Sequence, residues 1–353
     1  MRRLVIRMVL VLTGCNPGYA QTGGGPPFDH GVDSITFHNG HTCLAGAIVK
    51  PEGDGPFPAV VITHGAGPAT FDEPAFRVHA NAFARGGFAV LLYDKRGSGG
   101  SGGLLDTSDY EDLATDLAAG VRYLRTRSDV MPGKIGILGR SEGGWVGTLA
   151  ASNDSSLRFI ILSSGSGVRP SRQTLYAIGR ALRERGASED EVRAGTDATS
   201  ALWAFYGGVA RMDLSGATHG VTRGARDSLE NRLRSFARFA PLIPQTVRNP
   251  ALTSPAFFNA FSRKIEYDPM PAFLQVRAAV LEVIGSDDEV VDTESTVDVF
   301  EGLRRCGRDV TVRILQGVGH SLVIVTPDGP RYPEDYPEFV VRWARAVIDG
   351  DAR

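Results

Sequence analysis

The chain has 353 residues, with 38 Lys and Arg against 40 Asp and Glu and a formal net charge of −2. That length accommodates one large domain or two smaller ones, and a composition of 42% hydrophobic and 22% charged residues excludes wholesale disorder. The balanced charge leaves no basic footprint for nucleic acid, no run of like charge forms a tail, and the 43 glycines follow no collagen-like or solenoid period.

The first twenty residues differ from the rest. Arg2, Arg3 and Arg7 precede the apolar run Met8 to Leu12, the order of an export signal over residues 1–20, and the run is too short to span a bilayer. Two cleavage readings compete. Leu12-Thr13-Gly14-Cys15 is similar to the bacterial lipoprotein signal, which would lipidate Cys15 and tie the chain to a membrane. Gly18-Tyr19-Ala20 before Gln21 fits ordinary small-x-small cleavage. Either reading implies an exported chain, periplasmic or membrane-anchored in a bacterium; an unprocessed N-terminus implies a cytoplasmic one. The two remaining cysteines, Cys43 and Cys306, read as buried thiols, with a single disulfide as the alternative.

Residues 21–32 contain Gly23-Gly24-Gly25-Pro26-Pro27 and read as a linker. Strands follow at Ser34 to His38 and Leu44 to Lys50. Ala59 to Thr63 is a continuous apolar run, as expected of a strand buried on both faces. Helical spacing covers Phe76 to Arg85 and stops at Gly86-Gly87. Phe88 to Tyr93 is a strand, Asp109 to Arg127 an amphipathic helix, Lys134 to Leu138 a strand, Gly143 to Ala151 a helix and Arg158 to Leu162 a strand. This alternation predicts right-handed βαβ units on a mostly parallel sheet with helices on both faces.

The alternation breaks over residues 168–275. Leu175 to Arg185, Glu189 to Tyr206 and Arg226 to Phe239 have helical patterns, and aromatics recur, among them Trp203, Phe236, Phe239, Phe257 and Phe261. Strand and helix then resume with Ala279 to Ile284, Val297 to Cys306, Val310 to Leu315 and Glu338 to Ile348. The expected organisation is one α/β core in two parts, 33–167 and 276–353, split by a helical cap insertion at 168–275. The insertion would lie above the carboxyl ends of the strands, where open α/β sheets bind ligands.

Gly139-Arg140-Ser141-Glu142-Gly143 has the G-x-S-x-G form of a nucleophile elbow, in which small neighbours let the chain bend sharply enough to expose a serine hydroxyl. Gly99-Gly100-Ser101-Gly102-Gly103 fits the same pattern. Ser141 follows an apolar strand and opens a helix, whereas Ser101 lies in a glycine loop, so Ser141 is the expected nucleophile. A serine needs a base, and the base an orienting acid. Of seven histidines only His320 follows a C-terminal strand, in the loop Gln316-Gly317-Val318-Gly319-His320. The acid should follow the strand Ala279 to Ile284, where Ser286-Asp287-Asp288-Glu289 offers Asp288 first and Asp287 as the alternative. Oxyanion donors are expected from the backbone of Glu142 and from His64-Gly65-Ala66-Gly67-Pro68, with Ala66 favoured over Gly65. His64 itself reads as tying down that loop.

At these residues the chain resembles the α/β-hydrolase superfamily, and more narrowly its bacterial serine esterase and acyl-peptidase-like members. The resemblance covers about residues 33–349. It also rests on Tyr93-Asp94-Lys95-Arg96-Gly97 and on Tyr267-Asp268-Pro269 before the late strand. It departs at Arg140, where many relatives carry His, and at Val291-Asp292, where Val-Pro is common. The Asp-Lys-Arg-Gly stretch is a structural turn in such proteins. The resemblance implies an α/β-hydrolase fold and a serine hydrolase that cleaves carboxylic esters through an acyl-enzyme, without metal or organic cofactor. The substrate would be a small-molecule ester. The same triad would serve cleavage of a short peptide, given acidic residues to capture its amine. A binding protein on the same scaffold is the third reading; such descendants usually lose a triad residue, and this chain has lost none.

Overall fold

The computed structural model describes residues 27–210, 224, 228, 255–327, 329–333 and 335–350. The N-terminal export pattern with Cys15, and the predicted helix Arg226 to Phe239, lie outside the described residues apart from the isolated position 228. An eight-stranded sheet runs in the order β1-β2-β4-β3-β5-β6-β7-β8. Its strands are β1 (Val32–Asn39), β2 (Thr42–Val49), β3 (Phe57–Thr63), β4 (Ala89–Tyr93), β5 (Val130–Arg140), β6 (Phe159–Ser163), β7 (Ala279–Gly285) and β8 (Val310–Leu315). β1 and β2 pair antiparallel, as do β2 and β4, and every later pairing is parallel. The fold is that of an α/β hydrolase.

Burial explains the strand patterns. Every residue of β4, β6 and β7 is buried, because helices cover both faces of the parallel part. β1, at the sheet's edge, has only two buried residues, Ile35 and Phe37. Helices α2 (Tyr110–Arg125) and α3 (Glu142–Ser152) pack on one face through Leu113, Leu117, Trp145 and Val146. Helix α1 (Pro74–Arg85) covers the other face with the C-terminal helix, whose Val340, Ala344 and Val347 meet Phe83 and Phe88 in one cluster. A capping box fixes the start of α2: Asp109 accepts from the Asp112 N–H and the Asp112 carboxylate accepts from the Asp109 N–H.

Between β6 and β7 the described residues form helices only: α4 (Pro170–Glu184), α5 (Glu189–Ala210), α6 (Pro255–Ile265) and α7 (Met270–Gln275). α5 and α6 share a small core of Leu202, Trp203, Tyr206, Phe257 and Phe258. After β7 come α8 (Thr293–Arg305), β8, a short hairpin of β9 (Ile324–Thr326) and β10 (Gly329–Arg331), and α9 (Glu338–Asp349). No helix among the described residues is long and apolar enough to cross a membrane.

The cysteines depart from expectation. Cys306 is free and exposed, because it caps the C-terminal end of α8 where the chain turns out through Gly307 at φ 78°. Cys43, near the start of β2, is half-buried. The pair is therefore neither two buried thiols nor a bridge to one another.

Candidate active site

The nucleophile elbow is forced by backbone crowding. Ser141 sits at φ 52°, in the left-handed region that side chains rarely occupy. A Cβ at Gly139 would lie 2.2 Å from the Gly143 carbonyl oxygen, and one at Gly143 would lie 2.8 Å from that of His64. Both glycines of the motif are thus required where β5 folds back onto the start of α3. The Ser141 N–H donates to the Ser163 carbonyl at 2.9 Å, which pins the turn to the neighbouring strand.

The remaining predicted groups converge on this serine. The His320 Nε2 lies 2.9 Å from the Ser141 Oγ, and its Nδ1 lies 3.0 and 3.1 Å from the two Asp288 oxygens. Asp288 is 1% exposed, and its Oδ1 also accepts from the Val290 and Val291 N–H groups at 2.8 Å. Those bonds hold the carboxylate in place and leave Nδ1–H as its natural donor, so that Nε2 faces the serine as acceptor. Asp287 is exposed and its carboxylate accepts from the Ser286 hydroxyl at 3.2 Å, away from His320, so the alternative acid is not in position. Ser101 is occupied elsewhere: its hydroxyl donates to the Asp94 carbonyl at 2.6 Å and accepts from the Ala45 N–H at 3.0 Å.

Glu289 has a definite task. Its Oε2 accepts from the His320 backbone N–H at 3.0 Å. A Cβ at Gly319 would lie 2.6 Å from that oxygen, and one at Gly285 would lie 2.0 Å from the Val318 carbonyl. The acid loop and the histidine loop are therefore in backbone contact. From the other side the Ser164 hydroxyl donates to the His320 carbonyl at 2.9 Å.

The loop His64 to Pro68 lies beside the serine. An added Cβ at Gly65 would be 3.7 Å from the Ser141 Cβ. The exposed Ala66 has no backbone hydrogen bond among the described residues. Glu142 opens α3, where first-turn N–H groups lack intrahelical partners. His64 is buried against Phe76 and Tyr93, and its Nε2–H donates to the Tyr93 carbonyl. Burial pushes its pKa down to about 3, with the nearby Lys95 acting in the same direction, so it is a neutral tie between loop and sheet.

The turn after β4 has more than one function. Asp94 accepts from Phe71 and Gly100 N–H groups, and Arg96 forms a fork with Asp116 at 2.6 and 2.7 Å. Lys95, which the sequence places only in a structural turn, reaches the elbow itself: its side chain is 3% exposed and its ammonium donates to the Gly65 carbonyl at 2.8 Å and to the Glu142 carboxylate at 2.6 Å. Burial pushes the Glu142 pKa up, but Lys95 and Lys264 of α6 outweigh it and hold the carboxyl below its ordinary range. α4 approaches the acid loop, where the Tyr176 hydroxyl donates to the Asp288 carbonyl at 3.2 Å.

This fold and its relatives define a serine hydrolase of the α/β type. The profile of the X-Pro dipeptidyl-peptidase (S15 family) matches residues 39–321, and the chain belongs to that family. Over 105 residues it is 34% identical to esterase EstD of Thermotoga maritima. That match covers 28% of this chain and only 25% of EstD, so the chain spans about a quarter of that curated relative. Among solved structures it is similar to the Pyrococcus furiosus esterase Pf2001, at 15% identity and a TM-score of 0.56, with 96% of this chain and 98% of that one covered. It is also similar to proline iminopeptidase of Mycobacterium smegmatis, at 19% identity and a TM-score of 0.55, with 90% and 99% covered. At these identities the structural likenesses speak to the fold.

Proposed function

We propose that the protein hydrolyses carboxylic esters through a covalent acyl-enzyme on Ser141. The observation that carries this reading is the unbroken line from Asp288 through His320 to Ser141, with a 2.9 Å contact at the serine. His320 takes the hydroxyl proton as Ser141 attacks the carbonyl, and Asp288 stabilises the imidazolium that forms. The negative oxygen of the tetrahedral intermediate turns to the Ala66 and Glu142 N–H groups. As the intermediate collapses, His320 returns the proton to the departing alcohol. Water then attacks the acyl-enzyme by the same route in reverse roles. No step in this scheme calls on a metal or organic cofactor.

The helices between β6 and β7 serve, in this reading, as a cap that shapes the substrate pocket. Its support is the reach of Tyr176 to the Asp288 carbonyl and of Lys264 to within 3.8 Å of Glu142. The N-terminal pattern is read as an export signal, with mass spectrometry of the mature N-terminus deciding between lipidated Cys15 and cleavage after Ala20.

Family membership across residues 39–321 favours a second substrate class, peptides cleaved after an Xaa-Pro unit. The same proton route serves an amide. The test is a panel of p-nitrophenyl esters beside Xaa-Pro-p-nitroanilides, run on the wild type and on Ser141→Ala. Turnover of esters above anilides, with loss of at least about 10⁴-fold and of fluorophosphonate labelling in the variant, supports the proposal. Anilide preference selects the peptidase reading. A variant that hydrolyses and labels like the wild type overturns both.

A further inference from the structure

We infer that Lys95 is a positioning residue for the oxyanion hole: its buried ammonium aims the Ala66 N–H of the Ser141 site and anchors the Glu142 side chain beside it. The inference rests on the acyl-enzyme reading above and extends it to a residue outside the triad.

The argument begins with peptide geometry. The Gly65–Ala66 bond is not among the cis peptides, so its C=O and N–H point in opposite directions from one rigid plane. Lys95 holds the carbonyl end at 2.8 Å. It therefore fixes where the Ala66 N–H points, which is away from the ammonium. Gly65 lies against Ser141, so that orientation bears on the space over the nucleophile. The second donor is fixed by its own turn, where the Ser141 carbonyl of the same peptide accepts from the Gly144 N–H at 2.8 Å. Glu142 supplies the other N–H, and its side chain is anchored to Lys95 at 2.6 Å. A cation on the Gly65 carbonyl also polarises the peptide and strengthens the N–H at its far end.

Lys95 is itself held firmly. Its backbone N–H donates to the Ala69 carbonyl, and its carbonyl accepts from the Ser98 N–H. The Ser98 hydroxyl accepts from the Ala69 N–H, and Asp94 accepts from the Phe71 N–H. The turn and the loop His64 to Phe71 are thus joined at several points. A salt bridge needed only for stability would not have to end on the peptide that carries an oxyanion donor. This one does, and donors aimed beforehand at developing charge cost no reorganisation during reaction.

The test compares wild type, Lys95→Met, Glu142→Gln and Lys95→Met/Glu142→Gln for kcat, KM, thermal unfolding and the second-order rate of fluorophosphonate labelling. Lys95→Met leaves the Glu142 charge buried with its main partner gone, so lower stability is expected on structural grounds alone. The double variant removes that charge. If Lys95 aims the Ala66 donor, the double variant regains stability but keeps a kcat about 10- to 100-fold below wild type, with KM within about threefold and labelling slowed by a similar factor. Glu142→Gln, which retains the bond from Lys95 to Gly65, should keep more activity than either Lys95 variant. Recovery of kcat along with stability in the double variant overturns the inference, as does a loss confined to KM. Should the Lys95→Met variants not fold, Lys95→Gln, whose neutral amide ends one bond short of the ammonium's place at the Gly65 carbonyl, is measured instead. In Lys95→Gln a wild-type kcat and labelling rate would overturn the proposal, and a reduced kcat with KM unchanged would sustain it. Equal labelling in wild type and variant sinks the role of Lys95 alone, whereas absence of labelling in the wild type sinks the acyl-enzyme reading beneath it.

Discussion

Two buried imidazoles set an acid limit on this fold. His79 of α1 is 1% exposed; its Nδ1–H donates to the Ala75 carbonyl at 2.7 Å and its Nε2 accepts from the Tyr336 hydroxyl at 2.8 Å. Burial pushes its pKa down from 6.5 to about 4, and that of His64 to about 3. Between those values and 6.5 the unfolded chain binds protons that the folded chain refuses, so stability rises with pH across this window. The contribution is complete above the unfolded value and drains away as pH falls toward the folded one. At pH 5 the unfolded groups are about 1.5 units into their titration, and each unit is worth about 1.4 kcal/mol. Each histidine therefore costs about 2 kcal/mol at pH 5, and the two together about 4, against the 5–15 kcal/mol typical of a folded domain. His79→Gln removes one titrating group and retains an amide that can serve either partner. Urea denaturation followed by tryptophan fluorescence at pH 8, 6.5 and 5 gives the fall in unfolding free energy for each protein. The fall from pH 8 to pH 5 should be about 2 kcal/mol smaller in the variant, whatever its absolute stability. Carboxylate contributions cancel in the difference. Identical pH slopes would refute the reasoning.

Other perturbations have equally definite outcomes. Gly139→Ala should lower kcat by about 100-fold and stability by about 1–3 kcal/mol, since its Cβ must open a gap of more than 1 Å between β5 and α3; Gly133→Ala, with nothing within 4 Å, is the silent control in ester assays and thermal melts. Glu282, fully buried on β7, accepts from the Gly165 N–H at 3.1 Å through one oxygen while the other has no partner among the described residues. Burial pushes its pKa far up, with the nearby Asp288 adding to the effect, so the folded chain holds a proton there that the unfolded chain releases above about pH 4.5, and stability declines as pH rises. Glu282→Gln should therefore gain stability relative to wild type as pH increases from 5 to 8, and a constant difference across that range in urea titrations would count against a buried neutral acid.

The parts of the molecule legible in the sequence were those governed by local pattern. β4, β6 and β7 showed as apolar runs because both faces are covered, and Ser141, Asp288 and His320 could be placed because each follows a recognisable strand. Asp288 and Asp287 could be ranked but not separated from sequence, since what distinguishes them is the burial of one and the exposure of the other. α6 and α7 gave weak helical signals: Pro255, Pro269 and Pro271 punctuate the stretch, and the aromatics of α6 pack around the helix as well as along it. Glu289 and Lys95 were missed for a different reason. Each acts on the backbone of a residue about 30 positions away, an encounter made by loops meeting in space.

The proposed catalytic groups are divided between two blocks. Acid and base ride together on β7 and β8, whose loops interlock through Ser286, Glu289 and the close approach of Gly285 to Val318. The nucleophile belongs to β5 and its elbow, with β6 between. Where the blocks face each other, the Nε2–Oγ contact and the Ser164 clasp on His320 span the divide. The seam between β6 and β7 is also where the chain departs into its helices and comes home. A slip along that seam would work like a clutch, disengaging proton pickup from attack while the carboxylate and imidazole stay coupled.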